Sequence, residues 1–148
     1  MINPALRSIC LCLTLTSGVA YAEPVVLEKP THAVSAGGTL VENIGIETLG
    51  GVFTPLLKTG CQTPCSTTQV FSTADDRQTE IKLFIFRGIA EVTKKTKKVA
   101  AVAVVGIPPS PRGIPQVAVT FSVENGQISL SAIDKGTNSP LEIKRHEF

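Results

Sequence analysis

Cys61 and Cys65 are the residues whose type and spacing most directly set up side-chain chemistry in this chain. Two thiols four positions apart around Pro64 can close a small disulfide loop, contribute to a zinc site, or cycle as a redox dithiol. The N-terminus marks the chain for export, and in an oxidising compartment the disulfide is the expected outcome, worth about 2 kcal/mol by chain entropy and less if strained. Zinc needs about four ligands, and His32 and His146 stand far from the pair in sequence, so no metal is expected. A redox role is the third possibility, although Cys-x-x-x-Cys departs from the Cys-x-x-Cys spacing of dithiol exchange. Enzymatic chemistry has no other foothold. There is no Gly-x-x-x-x-Gly-Lys phosphate loop, no nucleophile elbow, and no His placed by motif near a Ser or Cys. The chain is expected not to be an enzyme and to need no cofactor.

The elements that hold these residues come from a short chain. Arg7 precedes an apolar run from Ile9 to Val19, and Ala20 and Ala22 flank Tyr21, which is the pattern of a secretory signal cut after Ala22. The run falls short of the roughly 20 residues a membrane span needs, and Ser17 and Gly18 interrupt it. Cys10 and Cys12 leave with the signal, and the expected location is periplasmic or secreted. Cleavage removes Arg7 as well, leaving 13 basic against 12 acidic residues, a net charge of +1. That near-balance gives no electrostatic basis for binding nucleic acid. What remains suffices for one domain with one core, built mainly from Val, Ile and Leu because aromatics are 5% and Trp is absent.

Residues 1–22 are therefore read as signal peptide and 23–41, mixing Pro, Ala, Ser and Gly without sustained periodicity, as an irregular lead-in. Residues 42–148 are read as the folded domain. Short β-type runs punctuated by Gly and Pro predict an all-β antiparallel sandwich. Ile81, Leu83 and Ile85 fall on one face of a strand, while the other face turns from Glu80 and Lys82 to Phe84 and Phe86. Val117, Val119, Phe121 and Val123 alternate ahead of Asn125-Gly126, a type I′ turn signal, and Ile128, Leu130 and Ala132 follow. Folding about that turn sets Val123 opposite Ile128, Phe121 opposite Leu130 and Val119 opposite Ala132. Val99 to Val105 reads as a buried strand, and Pro55, lacking a ladder donor, belongs at an edge or strand end. Lys94, Lys95, Lys97 and Lys98 form the one dense charge run. With no aromatic interleaved for stacking, it reads as a solvated connection.

Several segments carry more than pattern. GIET at 45–48, the Gly50-Gly51 pair, QVFSTADD at 69–76, PRG at 111–113 and PQVAVTF at 115–121 resemble, in order and spacing, the β-sandwich peptide-binding domain of DnaK-type seventy-kilodalton heat-shock chaperones. The resemblance runs from about Asn43 to Asp134, and 148 residues leave no room for that family's ATPase domain and helical lid. The family's acidic, leucine-rich interdomain linker is not recognisable in Val25, Val26 and Leu27.

The resemblance also implies a site. An extended peptide can be gripped by main-chain hydrogen bonds while apolar pockets take alternate side chains. Carried onto matching positions, Leu49 and Ala74 would arch over the peptide, and Ile44, Ile46, Phe71, Ile81, Leu83 and Val117 would line a central pocket. Main-chain groups of Thr48, Leu49, Ser72 and Ala74, with the Gln78 side chain, would bond the peptide backbone. Any sandwich needs core residues such as Ile46, Phe71, Ile81 and Leu83, but core packing does not require the polar Ser72, Thr73, Asp75, Asp76 and Gln78, which also match. The implied function is an exported holdase that binds extended apolar segments of unfolded polypeptides without ATP. The alternatives are a secreted structural or host-interaction protein on the same sandwich, and a remnant of a longer ATP-dependent chaperone. Self-association through exposed edge strands is a further expectation.

Overall fold

A computed structural model describes residues 23–28 and 33–146. The predicted signal peptide, with Cys10 and Cys12, and His32 lie outside the described residues. No helix among the described residues is long and apolar enough to cross a membrane.

The described residues form nine strands: β1 (Val25–Glu28), β2 (Asn43–Thr48), β3 (Val52–Leu57), β4 (Cys65–Phe71), β5 (Glu80–Gly88), β6 (Lys97–Val105), β7 (Val117–Glu124), β8 (Gln127–Asp134) and β9 (Ser139–His146). All pairings are antiparallel, in the order β3-β2-β5-β6-β9-β8-β7-β4, with β1 added beside β8. Two layers result, and β9 joins them: residues 139–141 pair with β8, and residues 142–146 pair with β6. The inward rows of both layers merge into one apolar cluster that includes Ile81, Leu83, Ile85, Val102, Val119, Phe121 and Leu130. This is the expected all-β sandwich.

The β7–β8 hairpin has the predicted register, with Val123 facing Ile128, Phe121 facing Leu130 and Val119 facing Ala132. Asn125 and Gly126 both take positive φ, 50° and 71°, as a type I′ turn demands. On β5 the inward row Ile81, Leu83, Ile85 is buried as predicted, and Phe86 is buried as well, though outside that apolar cluster. The register of β5 against β6 shifts at this point, where Val99 is the extra residue on β6. Pro55 lies within β3, which ends the strand order and so tolerates the missing donor. The lysine run occupies a short 3-10 turn (Thr93–Lys95) and the start of β6, with all four side chains exposed.

One expectation is corrected. The supposedly irregular lead-in contains β1, which pairs Val25 with Leu130 and Val26 with Ser129. Leu27 is buried in the core. The cause is the path of β9: where β9 leaves β8 for β6, the edge of β8 around residues 128–130 is left open, and the Val25-Val26-Leu27 run fills it. A strand edge left beside an apolar row draws any short apolar run that can reach it.

Candidate peptide-binding site

Two connections define one end of the sandwich. The first is the β2–β3 turn, where Gly50 and Gly51 adopt φ of 85° and 74° and Gly51 N–H donates to the Thr48 carbonyl at 3.1 Å. These are left-handed conformations that glycine reaches without a Cβ penalty. Thr93 braces the turn from the β5–β6 connection, its N–H and Oγ1 each donating to the Gly51 carbonyl at 3.1 Å. Leu49 stands at the apex, 98% exposed.

The second is the β4–β5 connection, residues 72–79, which is clasped to the proline-rich loop of residues 107–116. Arg77 N–H donates to the Ser110 carbonyl at 2.9 Å, Arg112 N–H to Asp76 Oδ1 at 2.9 Å, and Gly113 N–H to the Thr73 carbonyl at 3.0 Å. Ser72 Oγ donates to the Pro115 carbonyl, and Ile107 N–H donates to the Thr79 carbonyl at 3.1 Å. The matched QVFSTADD and PRG segments are therefore halves of a single clasp. That joint role explains why polar residues recur there although the core has no use for them.

Within this frame the expected site residues divide. Ile44 and Val117 are fully buried, so they belong to the core and line no open pocket in this structure. Ile46, Ile81 and Leu83 retain 6–7% exposure and Phe71 is half-buried. These four side chains lie just inside the two connections: Ile46 two residues before Thr48, Phe71 directly before Ser72, and Ile81 and Leu83 on the strand that leaves Thr79. The arch itself is open. A side chain as exposed as Leu49 packs on nothing, so Leu49 makes no contact over the channel with Ala74, because the Gly50-Gly51 turn projects it away from the sheets.

The hydrogen-bonding expectation is also revised for Gln78. Its Oε1 accepts from Ala74 N–H at 2.9 Å and Asp75 N–H at 3.1 Å, and its Nε2 donates to the Glu80 carbonyl at 2.6 Å. The amide is spent on ordering its own loop, and Ala74 N–H is engaged with it. The Thr48 carbonyl is likewise taken by Gly51. Gln78 thus holds the loop in shape and does not reach outward.

The expected disulfide is absent from this structure: Cys61 and Cys65 are free thiols. They sit side by side in hydrogen-bonding contact, and Cys65 is pushed up to about 12 by burial, then by that bond, then by the Cys61 charge. No group of three or more His, Cys, Asp or Glu able to hold a metal occurs among the described residues.

Sequence reasoning missed two charged groups. Arg87, buried at the far end of β5, forms an ion pair with Glu42, and Asp134 closes the inward row of β8. The Asp134 position was visible in the alternation that runs from Ile128, whereas nothing local marks Arg87 as buried.

Residues 39–147 match the family described as Hsp70 protein. Heat shock protein hsp-6 of Caenorhabditis elegans is 44% identical over 102 residues, an alignment that covers 68% of this chain and 16% of the nematode protein. The chain thus spans about a sixth of the length of that relative. From the matched residues and the all-β architecture together, this chain belongs to the Hsp70 family and carries that family's β-domain.

Proposed function

We propose that this chain is an exported holder of extended, apolar polypeptide segments that works without ATP. The observation that carries the reading is the placement of the matched apolar residues at the end of the sandwich where the two connections lie. Ile46, Phe71, Ile81 and Leu83 all lie between the β2–β3 turn and the clasped 72–79 loop, where the half-buried Phe71 and the exposed Leu49 offer apolar surface to an extended segment. Burying one ligand leucine there is worth roughly 1.5–3 kcal/mol before ordering costs. Nothing in the sequence supplies a nucleotide-binding motif, so the proposed partners are unfolded or extended polypeptides, with neither nucleic acid nor ATP.

Leu49 is the mobile half of the grip in this reading, closing on the ligand from its exposed position. Binding then follows pocket and main-chain contacts alone, giving fast exchange and dissociation constants in the micromolar range or weaker. In the oxidising compartment that the predicted signal peptide addresses, Cys61 and Cys65 lose two protons and two electrons to a disulfide donor and close the loop between β3 and β4. The free outer edge of β4, which pairs only with β7, is the proposed route of self-association, measurable by light scattering.

The test is fluorescence anisotropy of a labelled leucine-rich heptapeptide titrated with protein from Glu23 onward. Saturable binding that disappears in Ile81→Phe, which fills the pocket, is the expected result. A folded protein that leaves the peptide free would instead favour a secreted structural or host-interaction role, which the full burial of Ile44 and Val117 also fits.

A further inference from the structure

Asp134 is an acid in an apolar place. The inward row of β8 runs Ile128, Leu130, Ala132, Asp134, each buried, and Asp134 is only 6% exposed. Its Oδ1 accepts the N–H of Gly136 at 2.8 Å, the one hydrogen bond its side chain makes among the described residues. Neither the Lys82–Glu80 nor the Arg87–Glu42 ion pair involves it. No side-chain oxygen sealed from solvent among the described residues lacks a partner. Oδ2 has no partner among the described residues and so keeps solvent access, and Asp134 is one of the residues that line a cavity.

That cavity, about 370 Å³, lies between the 107–116 loop and the β8–β9 turn, with Pro108, Ile114 and Pro115 on one side and Asp134, Lys135 and Gly136 on the other. Ile114 is 67% exposed, an unusual position for a large apolar side chain on a loop so tightly fixed. The loop is held by its clasp to residues 72–79 and by Lys135 N–H donating to the Gln116 carbonyl at 2.9 Å, so the cavity walls are preorganised.

We propose that this cavity is a receptor for a cationic alkyl group, the side chain of an arginine or lysine on a partner polypeptide. The head meets Oδ2 of Asp134 and the methylene stem lies along Ile114 and Pro115. A carboxylate held by one backbone N–H, with its second oxygen presented to a confined space, completes itself with a charge-assisted hydrogen bond. Long cationic side chains lay their stems on apolar surface while the head finds its counter-charge. The volume falls in the roughly 300–1,000 Å³ range of small-ligand sites and admits a side chain rather than a helix or strand. Lys135, on the rim, is the competing charge: it repels an incoming cation and sets the affinity low. The site is separate from the peptide groove and does not depend on it.

The test is an amide chemical-shift titration of the folded protein with n-butylguanidinium, n-butylammonium and n-butanol as probes. The expected result is saturable shifts with both cations, confined to residues 107–116 and 134–137, and none with the alcohol. The Asp134→Asn variant should weaken cation binding by about tenfold or more, and Lys135→Met should strengthen it, since removing an exposed like charge leaves the fold intact. If Asp134→Asn does not fold, Lys135→Met and Ile114→Ser decide the matter, the latter weakening butylguanidinium but not methylguanidinium. Equal shifts with the alcohol, shifts spread over the whole surface, or indifference to Lys135→Met would overturn the proposal. A preference for guanidinium over ammonium assigns the partner side chain as arginine, and the reverse order assigns it as lysine.

Discussion

The two hairpins of this molecule are built on opposite principles. In the β7–β8 hairpin every inward side chain from Val117 to Ala132 is sealed, and the outward rows carry hydroxyls that bond across strands, Thr68 to Thr120 at 2.8 Å and Ser122 to Ser129 at 2.7 Å. The turn is the tightest type available, and pattern, turn and packing agree. In the β2–β3 hairpin the local rules are broken one after another. A bulge falls between Ile44 and Gly45, a proline sits inside β3, and the apex offers a bare leucine to solvent. Gly45 is needed because a Cβ there would lie 2.1 Å from the Thr54 carbonyl. The first hairpin is a wall and the second is a finger, and departures from local regularity gather where the proposed grip lies.

That contrast can be broken by substitution, starting with the wall. Phe121 is fully buried at the centre of the core, and Phe121→Ala is expected to cost about 3–5 kcal/mol, seen as a lower midpoint in urea denaturation. A cost under about 1 kcal/mol would show that the β7–β8 side does not carry the fold. Gly45→Ala comes next. The added methyl group must push β3 away from β2, at about 3 kcal/mol, and hydrogen exchange should quicken across residues 52–57 while the β7–β8 amides keep their relative protection. Uniform acceleration in both hairpins would mean that finger and wall unfold as one unit.

Alkaline titration gives a smaller, signed effect on the wall side, where Cys65 pairs with Val123. Cys65 titrates at about 12 when folded against 9.0 for a free thiol, so the folded state retains a proton that the unfolded state has lost between these values. Its contribution to stability is intact below pH 9 and declines as the pH rises toward 12. Comparing Cys65→Ser with the parent in reductant should show a shallower alkaline decline in the variant. Identical slopes would place Cys65 in open solvent. The least change in stability is expected at the tip of the finger: Leu49→Ser should shift unfolding by no more than about 0.5 kcal/mol, yet weaken heptapeptide binding in the anisotropy assay. A large loss of stability there would make Leu49 a core residue after all.

The sandwich class, the β7–β8 register and the inward face of β5 could be read from sequence because each follows from period-two alternation and from a turn whose residues fix its geometry, interactions that span only a few positions. The matched motifs placed Ile46, Phe71, Ile81 and Leu83 in one region, between the β2–β3 turn and the 72–79 loop. Burial of Ile44 and Val117 was not readable, because the same alternation fits a pocket wall and a core. The inward role of the Gln78 amide was equally hidden, since an amide side chain serves a loop or a ligand with the same atoms.

By itself, then, the sequence determined the strand faces, the type I′ turn and family membership, all carried by local chemistry or by motifs in order. Only the tertiary structure decided that Val25–Glu28 is a strand, that the QVFSTADD and PRG segments clasp each other, that Leu49 stands free, and that Asp134 opens into a cavity. Those outcomes depend on where β9 leaves one layer for the other and on which loops meet at the end of the sandwich. Contacts between residues thirty to a hundred positions apart are set by the packing of whole layers, which no short window of sequence contains.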